Sequence, residues 1–397
     1  MDQEPKGAKT MKIVMLVPYF YPHTGGTEKY VKDLSTALVL KGHEVTVISN
    51  NIPRGKNAPK EEMAPEGFKI IRLDAVNMFS YLPVSFQFNL KMLEEYDLVH
   101  VHVPAFSFLR SVAGKIKQPL VVTYHCDVTI SEKYFGIPIP KFLVPVFEEI
   151  SNSYARTFLP KADAIITTTE TYASTSPVMK NIPHHVVPIG IFHDKIDEIQ
   201  KKINLTPDKK NSKQILFLGR LAGNKGCDYL VEAMPEILKG FPDTKLIICG
   251  DGEEKTHIVD LIKKFGIERS IEFLGTATFE KLVELYYTSI AYIFPSINRL
   301  EAFGIVQLEA MANYTAVIAS DIPGPNAVMS PGETGMLVPK QDPAALAAAI
   351  KEILANPEKA KEMGRKGREL VEKKYDWSVI GDIVLNIYKQ AAQKKAG

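Results

Sequence analysis

The chain has 397 residues, long for one hydrophobic core, and 24% of them are charged, an ordinary value for a globular protein. A formal net charge of +2 gives no indication of a nucleic-acid partner. Its three cysteines lie far apart without a C-x-x-C pair, which excludes a cysteine-type structural zinc site and indicates reduced thiols. Because no apolar run reaches the roughly 18 residues of a spanning helix, we expect a cytoplasmic protein.

The first half of the chain alternates short β-rich runs with helix-length segments. Residues 12–17, KIVMLV, form the continuous apolar run of a strand that is covered on both faces. Val31, Leu34 and Leu38 then recur at helical spacing, and Gly42 ends the predicted helix. Further strand-like runs lie at 44–49, 68–73, 98–103, 120–125, 164–169 and 185–190. This alternation predicts a parallel sheet with helices on both faces.

The same pattern starts again after a polar segment at residues 194–211. Its strand-like runs lie at 214–219, 245–250, 271–275, 291–296, 316–320 and 335–339. We therefore predict an α/β protein with two doubly wound, Rossmann-like domains that face each other across a cleft. The predicted division is a tail at 1–11, an N-terminal Rossmann-like domain at 12–193, a linker at 194–211, a C-terminal Rossmann-like domain at 212–375, and a helix at 376–397 that packs back towards the N-terminal domain.

The first βα turn carries a glycine pair, Gly25 and Gly26, directly before a predicted helix. Glycine lets the backbone approach a diphosphate, and a helix N-terminus points amide groups at it. The turn lacks the G-x-G-x-x-G of dinucleotide-binding domains, and the chain contains no G-K-[ST] phosphate loop. A glycine pair alone is equally typical of a plain turn.

The second predicted domain opens with a strand, the loop GRLAGNKG and a helix. Arg220 and Lys225 share this loop. Arginine supplies a planar fork and lysine a compact charge, a combination suited to a leaving diphosphate. Two solvated charges on a surface loop are the alternative interpretation.

A third segment, RLEAFGIVQLEAMA, places Glu301 before a predicted helix and Glu309 within it. Eight residues of helix rise about 12 Å, roughly the distance from a donor sugar to the ribose of its nucleotide. A pair of glutamates at this spacing is also common by chance. Amide groups at the start of a helix attract phosphate; here they belong to Ala302, Phe303, Gly304 and Ile305.

Together, GGTE, the strand-end histidine of VVTYHCD, G-R-x4-K-G, C-G-D-G and E-x7-E resemble the retaining glycosyltransferases of family four, which have the GT-B fold. The resemblance runs from about Lys12 to Pro339 in the family's order and lies within its glycogen-synthase-like and mannosyltransferase-like members. It implies transfer of a hexose-type sugar from a nucleotide diphosphate to a hydroxyl of a glycan or lipid-linked acceptor, without cofactor or metal. UDP-sugars are the first expectation and GDP-mannose the second. The alternative is a catalytically silent relative that binds a nucleotide sugar or a partner protein.

The resemblance also implies roles for individual residues. Catalytic roles would fall to His125, Arg220, Lys225 and Glu301. Donor binding would involve these last three with Gly25, Gly26, Gly250, Gly252, Gly275, Ala302, Phe303, Gly304, Ile305 and Glu309. The acceptor side would have Glu28 and Asp127, although Asp127 could equally cap the loop after its strand.

Two features depart from the family or leave alternatives open. Tyr314 and Ala316 stand where relatives usually carry glycine and proline, and a tyrosine at a helix end costs stability unless its ring packs. His100 and His102 share one strand face, but no third ligand stands near them in the sequence, so core histidines are preferred to a metal site.

Two aromatic segments, at 79–89 and 140–150, raise the question of a lipid surface. They could form an acceptor groove or touch a membrane, with ordinary core packing as the alternative. Peripheral contact at the inner face of the cell membrane is therefore the second expectation for the location of the protein.

Overall fold

The computed structural model describes residues 10–23, 25–51, 58–79, 82–104, 106–128, 133–134, 137–138, 144–206 and 209–396. The chain divides into two compact units, unit 1 at Met1–Gly190 with Trp377–Gly397 and unit 2 at Ile191–Asp376. Each unit is an α/β domain built on a parallel sheet, which confirms the predicted fold class. No helix within the described ranges combines the length and apolar character needed to cross a membrane.

Unit 1 is built on a long sheet of eight described strands. Its strands are β1 Lys12–Leu16, β2 Glu44–Asn50, β3 Glu61–Met63, β4 Lys69–Leu73, β5 Val76–Phe79, β6 Leu82–Val84, β7 Leu98–Val103, β8 Leu120–Tyr124, β9 Lys133–Tyr134, β10 Ile137–Pro138, β11 Ala164–Thr167 and β12 His185–Val186. Its first helices are α1 Gly26–Leu40, α2 Phe106–Val112, α3 Val144–Phe158 and α4 Glu170–Thr175. The sheet order is β12-β11-β8-β7-β1-β2-β4-β3, and within the described part of this sheet β3 alone pairs antiparallel. The strands β5 with β6 and β9 with β10 form two separate antiparallel pairs.

The core of unit 1 follows from its hydrophobic pattern. The residues Ile13 to Leu16 of β1 are fully buried, as expected for a central strand covered on both faces. Val31, Leu34 and Leu38 form the buried stripe of α1. Gly42 follows that helix at φ 84°, a left-handed conformation that glycine adopts without strain.

Unit 2 is a six-stranded parallel sheet with helices on both faces. Its strands are β13 Asn211–Leu218, β14 Lys245–Cys249, β15 Ile271–Gly275, β16 Ser289–Phe294, β17 Ala316–Ser320 and β18 Gly335–Val338. Its helices are α5 His193–Lys202, α6 Cys227–Gly240, α7 Lys255–Phe265, α8 Phe279–Thr288, α9 Ile305–Ala312, α10 Pro343–Ala355 and α11 Pro357–Lys374. The sheet order is β15-β14-β13-β16-β17-β18, so the direction of winding reverses between β13 and β16.

The chain passes between the two units twice, at Gly190–Ile191 and at Asp376–Trp377. The predicted linker at 194–211 clusters with unit 2, and its first half, residues 194–202, lies in helix α5. The last helix, α12 Trp377–Ala396, clusters with unit 1, where Trp377 and Tyr388 are fully buried. Of the two aromatic segments, residues 80–81 and 140–143 lie outside the described ranges.

Candidate active site

The switch point of unit 2 brings two loops together at the carboxyl ends of β13 and β16. The amide of Ile297 donates to the carbonyl of Asn224 at 3.0 Å, which joins the loop after β16 to the loop after β13. Gly226 has φ 66°, and a Cβ there would lie 2.1 Å from the carbonyl oxygen of Pro295. Glycine is therefore required for this close approach. In open α/β sheets this is the position where ligands bind.

Lys225 and Glu301 form an ion pair at this switch point, although 76 positions separate them in the sequence. Their side chains are half-buried, and the hydroxyl of Ser296 lies 3.5 Å from the same carboxylate oxygen of Glu301. The structure thus brings together two of the predicted catalytic residues. A fixed cation beside a fixed carboxylate can bind an anionic group and a hydroxyl group side by side.

Arg220 lies on the same loop as Lys225 but has a different partner. Its guanidinium pairs with Glu253 at 3.0 Å, and 68% of its side chain is exposed. An exposed ion pair of this kind contributes little to stability, so the side chain can exchange partners at low cost. Among the described residues, neither a hydrogen bond nor an ion pair joins Arg220 to Lys225 or Glu301.

Glu309 lies within α9, and a buried tyrosine holds its carboxylate. The hydroxyl of Tyr286 donates to Oε2 of Glu309 at 3.1 Å, and Glu309 is 8% exposed. Burial and the negative charge of Glu309 hold the pKa of Tyr286 well above its usual value, so the phenol stays a donor. Sequence reasoning missed Tyr286, because its place in an amphipathic helix indicates only a core residue.

The backbone before α9 is held tightly. Gly304 has φ 82°, and a Cβ there would lie 2.7 Å from the side-chain nitrogen of Gln307. Ala302 and Phe303 are buried, and a Cβ on Gly324 would lie 2.2 Å from the carbonyl oxygen of Ala302. The amide of Gln307 donates to the carbonyl of Gly304 at 2.9 Å, whereas the amides of Ile305 and Val306 have no acceptor within the helix itself and can receive an anion.

Three of the predicted donor-binding glycines, Gly250, Gly252 and Gly275, lie where the backbones of neighbouring loops touch. Gly250 has φ 140°, and a Cβ there would lie 1.9 Å from the carbonyl oxygen of Gly219. A Cβ on Gly252 would lie 2.3 Å from the carbonyl oxygen of Leu221, while the amide of Gly250 donates to Gly275 at 2.8 Å. The packing of the loops after β13, β14 and β15 therefore requires glycine at positions 250 and 252 before any ligand is considered.

The two neighbouring glycines of unit 1, Gly25 and Gly26, have different surroundings. Gly25 is extended at the start of α1, and a Cβ there would lie 2.5 Å from Oε2 of Glu28. The buried carboxylate of Glu28 lies 3.1 Å from Nδ1 of His23, a contact that sequence reasoning missed. At Gly26 no described atom lies within 4 Å of a Cβ position, so this backbone is open to a ligand.

Three buried histidines cluster at the carboxyl ends of β7 and β8. Nε2 of His125 lies 3.2 Å from Nδ1 of His102, and the two nitrogens of His100 lie 2.7 Å from Tyr388 and Thr123. His125 is therefore a neighbour of His102 in space although it lies far from it in the sequence, and all three rings are buried, as expected for core histidines. The cause is the register of the sheet, which pairs His102 with Thr123 and so brings the end of β8 beside β7.

Burial controls the charge of this histidine cluster. It lowers the pKa of His100 and of His125 to about 3 and holds the pKa of His102 well below its usual value. All three rings are therefore neutral near pH 7. His125 is thus a neutral hydrogen-bonding group rather than a cation.

We expect these histidines to make unit 1 sensitive to acid. Their pKa values are lower in the folded chain than the usual 6.5, so the unfolded chain binds more protons and stability falls as the pH drops below about 6.5. Each group contributes a slope of about 1.4 kcal/mol per pH unit. Urea unfolding between pH 5 and pH 7.5 measures this slope.

The variant His125→Asn should reduce the acid-dependent slope by roughly a quarter, since it removes one of four buried imidazoles, the fourth being His43, whose pKa is also lowered by burial. The same change at His185, which is exposed on β12, serves as the control. A slope that His125→Asn leaves at the wild-type value would contradict the burial argument.

The contacts of Asp127 match the second of its two interpretations, in which it caps the loop after its strand. Its Oδ1 accepts hydrogen bonds from the hydroxyls of Tyr124 and Ser176, and its amide donates to the hydroxyl of Tyr172 at 2.7 Å. The residue is buried. These contacts join the loop after β8 to α4 and to the turn that follows α4.

One group of possible metal ligands occurs among the described residues. It consists of His193, Asp194 and Asp376, whose ligand atoms lie within 4.8 Å of one another. Nδ1 of His193 accepts from the guanidinium of Arg368 at 2.9 Å, and its Nε2 lies 3.1 Å from Asp376. Both ring nitrogens are thus occupied by hydrogen bonds within the protein, and the group is a structural network.

Two family models match the chain, and between them they contain every predicted site residue. The model described as "Glycosyltransferase Family 4" matches residues 24–195. The model described as "Glycosyl transferases group 1" matches residues 197–370. The first match lies almost entirely in unit 1, and the second lies in unit 2.

The chain is also similar, over most of its length, to a mannosyltransferase and to two solved structures. The phosphatidyl-myo-inositol mannosyltransferase of Mycobacterium leprae is 28% identical over 96% of this chain and 97% of its own length. The structure of sucrose-phosphate synthase from Thermosynechococcus elongatus superposes with a TM-score of 0.77 at 25% identity, covering 96% of this chain and 98% of that one. HepE of Anabaena, solved with UDP and glucose, shares the fold at a TM-score of 0.69 and 17% identity, covering 96% of this chain and 99% of that one.

Proposed function

Because the chain belongs to the glycosyltransferases of family four and has the GT-B fold, we propose that it transfers a hexose-type sugar from a nucleotide diphosphate-sugar to a hydroxyl of a glycan or lipid-linked acceptor. The observation that carries this proposal is the Lys225–Glu301 pair at the switch point of unit 2. Both residues are in the half of the chain that matches the group 1 glycosyltransferases.

Unit 2 would bind the donor through charges and helix amides. Lys225 holds the diphosphate with Arg220, which leaves its exposed pair with Glu253. The amide groups at the start of α9 add favourable contacts to phosphate oxygens. Glu301 accepts hydrogen bonds from sugar hydroxyls, and its bond to Lys225 orients it.

Glu309 would bind the ribose. Its carboxylate is buried and already oriented by Tyr286, so little side-chain freedom is lost when ribose hydroxyls bind. Gly250 and Gly252 follow β14, and Gly275 is the last residue of β15; these carboxyl ends flank the base. The tight packing of the adjoining loops keeps that surface rigid.

Unit 1 would contribute the open backbone at Gly26 and the neutral ring of His125. An uncharged imidazole can accept or donate one hydrogen bond to a sugar hydroxyl. Glu28 opens α1 behind the glycine pair on the acceptor side.

The proposed reaction retains the configuration of the sugar. The acceptor oxygen forms its bond to the anomeric carbon on the face from which the phosphate oxygen leaves, and the acceptor proton passes to that phosphate oxygen. Lys225 and Arg220 stabilise the negative charge that develops on the diphosphate, so the proposed mechanism uses neither a metal ion nor a carboxylate acid–base pair.

The comparisons favour a uridine donor. HepE was solved with UDP and glucose, and its fold is shared by this chain. The relative from Mycobacterium leprae is a mannosyltransferase, which makes GDP-mannose the second expectation.

A thermal-shift screen of nucleotide sugars tests the proposed function. With a metal chelator present, a UDP-sugar at 100 times its Kd should stabilise the protein by about 2.7 kcal/mol. Glu309→Gln should weaken this stabilisation, whereas Glu333→Gln, at an exposed position of unit 2, should preserve it. A folded protein that responds to no nucleotide sugar would contradict the proposal and favour the silent relative.

A lipid-linked acceptor has support from α3. Val146 and Ile150 are 51% and 60% exposed, and they line an open groove of about 460 Å³ with Pro145 and Ser153. Exposed apolar side chains on an amphipathic helix are typical of surfaces that touch lipid. Sedimentation with anionic vesicles tests this contact: a Val146→Ser, Ile150→Ser double variant should bind less, and Leu40→Ser on α1 is the control, since Leu40 is 73% exposed.

A further inference from the structure

A second pocket lies in unit 2, beyond the C-terminal end of α9. Its volume is about 570 Å³, and it lies between the end of α5, the turn after α9 and the helix α11. This volume is within the range of roughly 300–1,000 Å³ that is usual for small-molecule sites. None of the predicted donor, acceptor or catalytic residues is among the residues that line it.

The charges around this pocket balance. Arg368 is buried and donates to both carboxylate oxygens of Asp197, at 2.8 and 2.7 Å, and to Glu372 at 2.6 Å. Lys201 supplies the second cation of the lining. Two cations and two carboxylates give no net attraction for a phosphate or another anion. The lining therefore favours a neutral ligand.

The polar groups of the pocket are suited to hydroxyl groups. Asp197 and Glu372 are partly exposed, at 32% and 45%, so each fixed carboxylate can accept further hydrogen bonds. Gln200 and Asn204 add amide groups at the same edge. Several fixed acceptors and amides around an open site form the pattern that a neutral polyhydroxylated ligand requires.

Tyr314 places an aromatic ring at the rim of the pocket. Its φ is 56°, a left-handed conformation that is strained for tyrosine and relaxed for glycine. Its carbonyl oxygen accepts from Lys210 at 2.9 Å, and a Cβ on Gly364 would lie 2.1 Å from that oxygen. The backbone is thus fixed by its neighbours.

Arg368 covers part of the Tyr314 ring, and part of the residue is exposed to solvent. The guanidinium of Arg368 lies 5.4 Å from the ring centroid, and 38% of the residue is exposed. An exposed ring on a fixed backbone is a platform against which the apolar face of a sugar ring can stack. Glycine at position 314 would relieve the backbone strain. We therefore attribute the presence of tyrosine to a role of its side chain.

We propose that this pocket binds a neutral saccharide chain, which stacks on Tyr314 and donates hydrogen bonds to Asp197 and Glu372. That the chain is the acceptor or the product of the transferase rests on the proposed function. The length of α9, about 12 Å, separates Tyr314 from Gly304 and the amide groups at the start of the helix. A chain held here would raise the effective concentration of its own reactive end.

Native gels that contain glycogen, mannan or galactan test this inference on the full-length protein. We expect at least one polysaccharide to retard the wild type, and we expect Tyr314→Gly to raise the dissociation constant about tenfold, since the variant removes the stacking platform and suits the left-handed backbone. Tyr314→Phe keeps the ring and should bind like the wild type. Phe279→Ala is the matched control, because Phe279 is 45% exposed elsewhere in unit 2.

Two results would overturn the inference: passage of the wild type through all three gels without retardation, or unchanged retardation of folded Tyr314→Gly. Nucleotide-sugar stabilisation of the same proteins separates this test from that of the proposed function. If no nucleotide sugar stabilises the wild type but Tyr314→Gly loses retardation, the transferase proposal fails and the saccharide site stands.

Discussion

Lys225→Ala should lower the kcat of sugar transfer by about 10²–10³-fold, the usual cost of removing one group that stabilises developing charge. The lysine is held at the switch point of unit 2 by Glu301, and it is the cation that we place on the leaving diphosphate. The loss should appear in kcat, because the negative charge on the diphosphate grows as the sugar bond breaks. Release of the nucleoside diphosphate, followed under donor saturation, measures it.

A matched lysine variant makes this prediction specific. Lys239 is 75% exposed on α6 of the same unit, where it pairs with Glu236, so Lys239→Ala should keep the wild-type rate. Lys225→Arg keeps the charge but changes its geometry and should recover only part of the activity. Wild-type kcat in a folded Lys225→Ala protein would remove Lys225 from the catalytic site.

Gly250→Ala should destabilise unit 2 by roughly 2–4 kcal/mol and abolish donor binding at temperatures where the wild type binds. The new Cβ would lie 1.9 Å from the carbonyl oxygen of Gly219, and the residue has φ 140°. A backbone atom cannot move aside as a flexible side chain can, so the loops after β13 and β14 must separate. Urea unfolding followed by circular dichroism measures the change.

Two other glycines of unit 2 separate strain from collision in this experiment. Gly266 has φ 64° with no described atom within 4 Å of its Cβ position, so Gly266→Ala tests the left-handed backbone alone, at about 1–2 kcal/mol. Gly223 has neither feature among the described residues, and Gly223→Ala should be nearly neutral. Equal losses in Gly250→Ala and Gly266→Ala would show that the close approach to Gly219 has no energetic weight.

Much of the fold could be predicted from local patterns. The apolar run at 12–17 and the stripe of α1 each report how a segment is buried, and these signals depend only on neighbouring residues. Element boundaries moved by a few residues, as at β12, where the strand-like run 185–190 is a strand only at His185–Val186. The short length of β12 reflects its place at the edge of the sheet, where one partner supports it.

The site was harder to predict than the fold. The motifs identified Lys225, Glu301 and Glu309 as candidates, but not which of them touch, because the sequence contains no direct information on loop contacts. Arg220 shares a loop with Lys225 and yet pairs with Glu253. Tyr286 and His102, which hold Glu309 and His125, have the pattern of ordinary core residues.

The sequence by itself determined the alternation of strands and helices, the family, and the set of residue types that can bind a diphosphate and a sugar. Only the tertiary structure decided which of these residues meet. Lys225 reaches Glu301 because β13 and β16 are neighbours in the sheet, and His125 reaches His102 because β7 and β8 pair in one register. The physical reason is that burial leaves a periodic signal within each segment, whereas contacts between distant loops follow from the order and register of strands, which arise only when the sheets assemble.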